Sequence, residues 1–267
     1  MAVTTRVHDA IDRVDAEQEH VADELSAFDR FEAGVRDLDP VSPVASAASS
    51  RTAGDAGLVT GAFQHSVAGP DRLDRVRDLF AETVRPYSLA DVGGSEPLVE
   101  TIGTELGEEI ATAVAPATRG RFTADLKRAI LSSVEQRRAE LRAMDRALAR
   151  EAESLDAALD AFESMADWLV EADETPLSAL GFEALRERHG VLDDYRARCE
   201  AVARERQEVL HATTSYEGAA GLVHRSLAGY LYEDLPTTYP VLSTAVRFDA
   251  VCEACQRAVR DHLTRRA

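Results

Sequence analysis

Two cysteines near the carboxyl end of the chain have the spacing of a metal-binding or redox pair. Cys252 and Cys255 form a C-x-x-C pattern, and His262 lies two helical turns further on. Such a pair can bind zinc or exchange disulfides, and Cys199 could supply a third sulfur ligand. A structural zinc site, however, takes four ligands, and the redox motif places its first cysteine at a helix N-terminus.

The element that holds this pair favours a simpler interpretation. Residues 246–263 have the pattern of a helix interior, and Cys255 falls on an apolar stripe of that helix. A free cysteine on such a stripe is usually a small buried side chain. We therefore expect buried cysteines, and we keep a metal- or redox-responsive regulator using Cys252, Cys255 and His262 as the alternative.

Other residues that could do chemistry lack the partners that catalysis requires. His189, His211 and His224 could be bases or ligands, but none has the second histidine and the glutamate of a zinc-protease helix. Packing at the edge of the core is the preferred interpretation of all three. The sequence contains no G-x-G-x-x-G, P-loop or G-x-S-x-G motif. We predict a protein that is not an enzyme and has no cofactor.

A basic stretch interrupts an acidic chain. The chain has 48 acidic and 30 basic residues, but residues 121–150 carry eight bases and four acids. Its arginines could bind an anion or nucleic acid, or they could dock the acidic first helix or a second chain. We favour protein docking, because no aromatic residues interleave with the bases for stacking. The candidate interaction residues are Arg128, Arg137, Arg138, Arg142, Arg146 and Arg150.

The net charge of −18 bounds the environment and the partners. The acids are scattered over helix faces, which favours adaptation to a high-salt cytoplasm over a single acidic surface meant for a basic partner. Negative charge disfavours nucleic acid and anionic membranes as partners. No segment has the length and apolarity of a signal peptide or a transmembrane helix. We expect a cytoplasmic protein without membrane contact.

Heptad helices must position these residues. Residues 122–173 contain no glycine or proline, and their apolar residues alternate at spacings of four and three, with Arg137 and Glu151 at the same phase. This pattern is typical of a coiled-coil helix, with its N-cap at Thr123 and its end before Pro176. Residues 182–214 repeat the pattern and should return as the second arm of an antiparallel hairpin.

The predicted register of the hairpin brings opposite charges together. Leu155 should meet Cys199, and the other pairs follow from residue numbers that sum to about 354. Nine acids and no base lie within residues 151–174, and six arginines lie within residues 186–206. These arginines should lie alongside the acids, although each exposed pair contributes little.

The predicted fold class is all-α: an elongated antiparallel coiled-coil hairpin, flanking short helices and an N-terminal heptad helix. The acidic first helix needs a partner for its apolar stripe, either in its own chain or in a second chain. Further helices are expected at residues 71–86, 97–114 and 215–232, and a last helix is expected to follow a break at residues 236–240 and to reach Arg266. The predicted divisions are the first helix at 1–39, a flexible linker with an ambiguous segment at 40–66, and a helical domain at 67–267.

Three segments carry a likeness to a known family: LKRAILSSVEQRRAELRAMDR (126–146), DETPL (173–177) and HRSLAGYLYE (224–233). Together they resemble an uncharacterised haloarchaeal family, a domain of unknown function. The resemblance covers most of the chain and implies a helical protein of a halophilic cytoplasm. It implies no catalytic residues.

The three heptad helices and the missing catalytic motifs predict a non-enzymatic coiled-coil interaction or scaffold protein, with a protein partner or self-association. The metal- or redox-responsive regulator is the alternative function, and a nucleic-acid-associated coiled coil is the weaker one.

Overall fold

The computed structural model describes residues 6–41, 72–88, 96–118, 120–216 and 219–265. These residues form nine α-helices, one 3₁₀ helix and one antiparallel β-hairpin, so the all-α class is confirmed. The predicted linker and ambiguous segment lie almost wholly outside the described residues. In chain order the elements are α1 (Arg6–Asp37), α2 (Arg72–Thr83), α3 (Arg85–Ser88), α4 (Leu98–Leu106), α5 (Glu108–Val114), α6 (Ala124–Asp173), the 3₁₀ helix (Leu177–Ala179), α7 (Phe182–His211), β1 (Thr213–Tyr216), β2 (Ala219–Val223), α8 (His224–Leu231) and α9 (Pro240–Thr264).

The chain divides into two compact units. Unit 1 comprises Met1–Glu19 and Ala143–Ala267, and unit 2 comprises His20–Arg142. Helices α1 and α6 each contribute residues to both units. The division predicted at residues 1–39, 40–66 and 67–267 stays a prediction. The first helix packs on its own chain. Its heptad side chains Val7 and Val14 are fully buried in unit 1, and Phe28 and Val35 are fully buried in unit 2.

Unit 2 joins short helices to the second half of α1 and the first part of α6. Phe31 and Phe80 meet edge to face, with ring centroids 5.5 Å apart. Side chains also satisfy carbonyl groups that helix ends leave open. Lys127, the only lysine of the chain, donates to Arg36 O at 2.5 Å and to Leu38 O at 2.8 Å. This amine therefore caps α1, where a positive charge favours the negative end of the helix dipole.

Unit 1 packs α6, α7 and α9 around a shared core. Leu185 and Leu192 of α7 form a buried cluster with Cys252 and Val259 of α9. The rings of Phe162 and Phe248 stack with centroids 5.2 Å apart, which joins α6 to α9. Helix α7 therefore packs against α9 as well as against α6.

The return of α7 along α6 is antiparallel, and near the turn its register differs from the predicted one. Cys199 Sγ lies 3.9 Å from Met165 Sδ, whereas Leu155 was its predicted partner. The rings of Trp168 and Tyr195 meet edge to face at 5.3 Å. The prediction treated α6 and α7 as an isolated pair, but packing against α9 also determines where α7 lies.

Two predicted helices are wrong in part. The helix expected at 215–232 begins only at His224, because residues 213–216 and 219–223 pair as strands, with Thr213 opposite Val223. β-branched residues at this register favour the extended form. The helix expected at 97–114 is broken at Gly107, whose φ of 100° lies outside the helical region.

Candidate functional site

A buried carboxylate occupies a core position of α6 in unit 1. Glu151 is 0% exposed, as are Leu148 and Leu155 on the same stripe. A carboxylate without partners in such surroundings would be strongly unfavourable, so the neighbouring elements must supply donors.

Three residues supply them, one from α7 and one at each end of α8. Arg206 of α7 forms a bidentate pair with Glu151, with Nη2–Oε1 and Nη1–Oε2 distances of 2.6 and 2.8 Å. His224, the first residue of α8, places Nε2 2.6 Å from Oε2. Tyr232, directly after α8, donates its hydroxyl hydrogen to Oε1. The three partners are at most 2% exposed. We call these four residues the Glu151 network.

Electrostatics fixes the protonation of the acid. Burial alone would raise the pKa of Glu151, but hydrogen bonds from His224 and Arg206, together with the charge of Arg206, lower it to about 2. Burial, together with the adjacent Glu151 carboxylate, raises the pKa of the Tyr232 phenol well above its usual range. At neutral pH the carboxylate is therefore ionised and the phenol is a donor. The His224 hydrogen that faces Glu151 must then sit on Nε2.

A cleft of about 370 Å³ adjoins the network. Arg206 and His224 line it together with apolar residues that include Ala158, Val202 and Val241. Ser154 also lines it, but its hydroxyl oxygen accepts a hydrogen bond from Arg206 Nη1 at 3.1 Å. Arg206, His224 and Ser154 are therefore engaged within the network, while exposed Arg150, Glu153 and Glu205 complete the lining of the cleft. This arrangement fits a polar network that fixes helix positions better than a paired nucleophile and base.

Sequence reasoning did not find this network. Glu151 carried a signal, because it interrupts an apolar stripe at its own phase. His224 was predicted to pack at the edge of the core, but it is buried and bound to the carboxylate. Arg206 was only one of six arginines on its helix. No pattern in the sequence distinguished it or Tyr232 as partners of one acid.

A second site lies at the turn between α6 and α7. Two clefts, of about 210 and 380 Å³, share the lining residues Trp168, Ala172, Thr175 and Arg188. The smaller cleft is closed by apolar side chains, among them Leu177. We call these clefts and the exposed residues beside the turn the turn-end surface.

The turn-end surface exposes large apolar side chains. Val170, near the end of α6, is 61% exposed, and Phe182, the first residue of α7, is 49% exposed. These two residues line neither cleft, and exposed apolar residues are ordinary when scattered singly. The apolar lining of the smaller cleft itself is typical of binding surfaces. The turn-end surface is therefore the part of unit 1 whose geometry best fits a partner.

An acidic stripe on α6 leads to this surface. Its seven exposed acids recur every three or four residues, so they share one helix face. Glu163 lies 3.7 Å from His8 Nε2, and the other six form no ion pair with another described residue. We call these residues the acidic stripe: Glu153, Asp156, Asp160, Glu163, Asp167, Glu171 and Glu174.

The arginines predicted to cover these acids mostly lie elsewhere. Arg196 pairs with Asp249 of α9 at 2.8 Å, and Arg186 pairs with Glu183 of its own helix at 3.1 Å. Among the described arginines of residues 186–206, Arg206 alone forms an ion pair with an acid of residues 151–174. The acidic stripe therefore remains facing solvent.

Comparison with known proteins places the chain in a family. One family model, described as a domain of unknown function (DUF7260), matches residues 5–256. The match contains all three segments on which the resemblance rested. The chain belongs to the DUF7260 family. No curated protein and no solved structure matches the chain.

In this DUF7260 member, two predicted interaction residues engage the chain's own first helix. Arg138 Nη2 lies 2.5 Å from Asp29 and its Nη1 lies 2.7 Å from Glu32. Arg137 Nη2 donates to Glu24 at 3.0 Å. These pairs match the intramolecular alternative, in which the basic stretch docks the acidic first helix.

Arg137 is shared among three carboxylates, those of Glu24, Glu105 and Glu140. Its Nε lies 3.0 Å from Glu105 Oε2 but is not aligned for a hydrogen bond. Burial would lower the pKa of Arg137, but Glu105 and Glu24 outweigh it and raise that pKa. Burial raises the pKa of Glu24, and Arg137 opposes this only in part. The guanidinium therefore compensates the burial of Glu24 only in part.

The other four predicted arginines are exposed. Arg128 pairs with Asp125 on its own helix, and Arg142 Nη1 lies 3.7 Å from Glu135. Arg150 lines the cleft beside the Glu151 network, and Arg146 forms no ion pair with another described residue. The structure therefore divides the predicted set between internal pairs and a solvent-facing group.

The cysteine pair lies in and beside an apolar core. Cys252 is 0% exposed and Cys255 is half-buried against the same cluster. Burial raises the pKa of Cys252 to about 11 and also raises that of Cys255. High thiol pKa values oppose the thiolate form that metal binding and redox exchange require. His262 is half-buried, and among the described residues no group of three ligands, with or without this histidine, could hold a metal ion.

None of the helices in the described part of this family member is both long enough and apolar enough to cross a bilayer.

Proposed function

We propose that this chain is a non-enzymatic helical interaction protein whose turn-end surface docks another polypeptide. The observation that carries the proposal is the pair of adjoining clefts that share Trp168, at a turn whose flanking helices also expose Val170 and Phe182. Burying such side chains against a partner removes apolar surface from water, which is the main favourable term in association.

The two alternative functions receive less support. Buried thiols with raised pKa values do not favour a metal- or redox-responsive regulator. A nucleic-acid contact would have to use the arginines that remain exposed, since Arg137 and Arg138 are committed to carboxylates. The interaction function requires neither reactive thiols nor the release of Arg137 and Arg138 from their carboxylates.

The setting of this function is also a proposal. The net charge of −18 and the single lysine support a halophilic cytoplasm, where salt screens self-repulsion. The haloarchaeal source rests only on the family resemblance. The heptad helices support coiled-coil packing with a protein partner or with a second copy of the chain.

Site-specific crosslinking tests the docking role. A photo-crosslinking residue replaces Phe182 in the full chain, which is expressed in its own cells and lysed in high salt. The matched control replaces Val246, which is 69% exposed on α9 and lines neither turn-end cleft. We expect a crosslinked product at position 182 and none at position 246, and we expect Val170→Ser to reduce its yield several-fold.

The mass of the product then identifies the docked chain. A product of twice the 29.0 kDa chain mass indicates self-association, and another mass indicates a different protein. Failure of position 182 to crosslink, or equal products at both positions, would overturn the docking role.

A further inference from the structure

We infer that the polypeptide docked at the turn-end surface is an amphipathic helix with basic residues flanking its apolar face. This inference rests on the proposed docking function and specifies the chemistry of the partner. Three features of the surface lead to it: the two clefts, the helical walls and the surrounding acids.

The clefts determine the apolar part of the partner. The two clefts adjoin along the wall formed by Trp168, Ala172 and Arg188. Leu177 and Val259 lie on the side of the smaller cleft, and Leu180 lies on the side of the larger one. A partner that fills the smaller cleft must present an apolar side chain there, and a neighbouring side chain that enters the larger cleft meets both Leu180 and glutamates.

The helical walls favour a helix over a strand. A strand adds to a surface through open backbone donors and acceptors at a sheet edge. The walls here are mainly the side chains of α6, α7 and α9, whose interior backbone groups are already paired within the helices. A helix instead presents side chains three or four residues apart on one face, and such anchors suit two adjoining clefts.

The acids determine the charge of the partner. Glu171, Glu174 and Glu187 line the larger cleft. The only arginine that lines either cleft, Arg188, already donates to Thr175 O at 3.2 Å. The acidic stripe continues from Glu171 along α6 without a basic cover from the described residues. Lysine or arginine beside the apolar face of the partner would relieve this repulsion and set its orientation.

Trp168 provides a direct test, because it is the only tryptophan of the chain and it lines both clefts. The probe is a designed peptide of about 18 residues, or five helical turns, with leucines on one face and lysines beside them. A second peptide keeps the leucines and replaces every lysine with glutamate. Both are titrated into the full chain at about 0.1 M and about 2 M salt.

We expect a saturable change in Trp168 emission with the basic peptide and at least tenfold weaker binding of the acidic peptide at low salt. The difference should shrink at high salt because charges are screened, while leucine burial still supports binding. Val170→Ser and Phe182→Ser should each weaken binding about tenfold. Val246→Ser should leave it unchanged, and circular dichroism checks that each variant is folded.

Equal affinity for the two peptides at low salt, or no emission change with either, would overturn the inference. The crosslinking result separates this failure from failure of the docking role. A product at position 182 together with equal peptide affinities would leave docking in place and exclude the basic helix. If neither experiment gave a signal, both proposals would fall.

Discussion

At the scale of single residues, the Glu151 network has the clearest effect on the stability of the fold. A carboxylate in a heptad core costs stability unless every neighbour compensates it. Here one arginine, one histidine and one tyrosine converge on its two oxygens from α7 and from the beginning and end of α8. Because a shifted register would separate these groups, the network favours one arrangement of the helices. A polar core residue can specify register in this way at some cost in stability.

Glu151→Gln should therefore destabilise the fold strongly. The amide keeps the size of the side chain but removes the charge that compensates buried Arg206, and its NH₂ group faces donors. Loss of one partner from a buried ion pair typically costs about 3–5 kcal/mol. Denaturant unfolding measures the difference.

The matched control is Glu153→Gln, which changes an exposed acid two residues away on the same helix. It should alter stability by less than about 0.5 kcal/mol. Similar effects of the two substitutions would contradict the assigned role of Glu151.

The same residue predicts a pH dependence. The pKa of Glu151 is about 2 in the folded chain, against an ordinary value of 4.5. Because the folded pKa is the lower one, the stabilisation is present above pH 4.5 and is lost as the pH falls towards 2. The shift corresponds to about 3 kcal/mol, with Arg206, His224 and Tyr232 as the groups that face the acid.

Unfolding free energies of the wild type and of Glu151→Gln should converge over that window. The measurement is the difference between the two proteins from pH 6 to pH 2.5. A difference that stays constant over this range would show that titration of Glu151 does not contribute.

At the scale of elements, local sequence patterns predicted where the helices lie in the chain far better than which helices pack against one another. The long helix was predictable because fifty residues without glycine or proline follow a good N-cap. Thr123 Oγ1 indeed accepts a hydrogen bond from Leu126 N at 3.2 Å. A heptad stripe shows which face of a helix is buried, but it does not show which helix covers that face.

The candidate sites were harder to predict because they depend on which helices pack against one another. The charge pattern paired the arginines of α7 with α6, but Arg196 lies against Asp249 of α9. The turn-end clefts depend on how α9 closes beside Leu177 and Leu192, and no local signal carries that information. Glu151 was recognisable as an exception in its stripe, but its partners come from segments 55 to 81 residues away.

Alanine substitutions at two glycines distinguish the effect of backbone strain on stability from the effect of helix propensity. Gly107 has a φ of 100° between α4 and α5, and a Cβ there would meet nothing within 4 Å. Gly190 also has open space around its Cβ, but it lies inside α7. Gly107→Ala should therefore destabilise by at least about 1 kcal/mol, because an alanine is strained at that φ.

Gly190→Ala should stabilise by about 0.5–1 kcal/mol, because alanine is the better helix former. Thermal unfolding of both variants measures the opposite signs. If the two substitutions changed the melting temperature in the same direction, the break at Gly107 would not depend on its backbone conformation.

At the scale of the whole molecule, the charge has two contributions that salt can separate. A net charge of −18 produces general self-repulsion, which favours a salt-rich solvent. The acidic stripe adds a local term, since like charges three or four residues apart destabilise a helix by about 0.2–0.5 kcal/mol per pair. The general term depends on the number of acids, whereas the local term depends on their positions.

Two triple variants with equal charge distinguish these terms. Asp156→Asn, Asp160→Asn and Asp167→Asn together break five successive like-charge contacts of the stripe. Asp12→Asn, Asp194→Asn and Asp261→Asn remove the same charge from exposed positions on three other helices. At about 0.1 M salt the stripe variant should be more stable than the scattered variant by about 1–2 kcal/mol.

At about 1 M salt the Debye length falls to about 3 Å, so this difference should largely disappear. Denaturant unfolding at both salt concentrations measures it. Equal stability of the two variants at low salt would mean that the acids of the stripe affect stability only through the net charge and not through their positions. A persistent difference at high salt would indicate an effect of the asparagines other than charge. The expected result would mean that the acidic stripe of α6 carries a local repulsion, which either salt or a basic partner relieves.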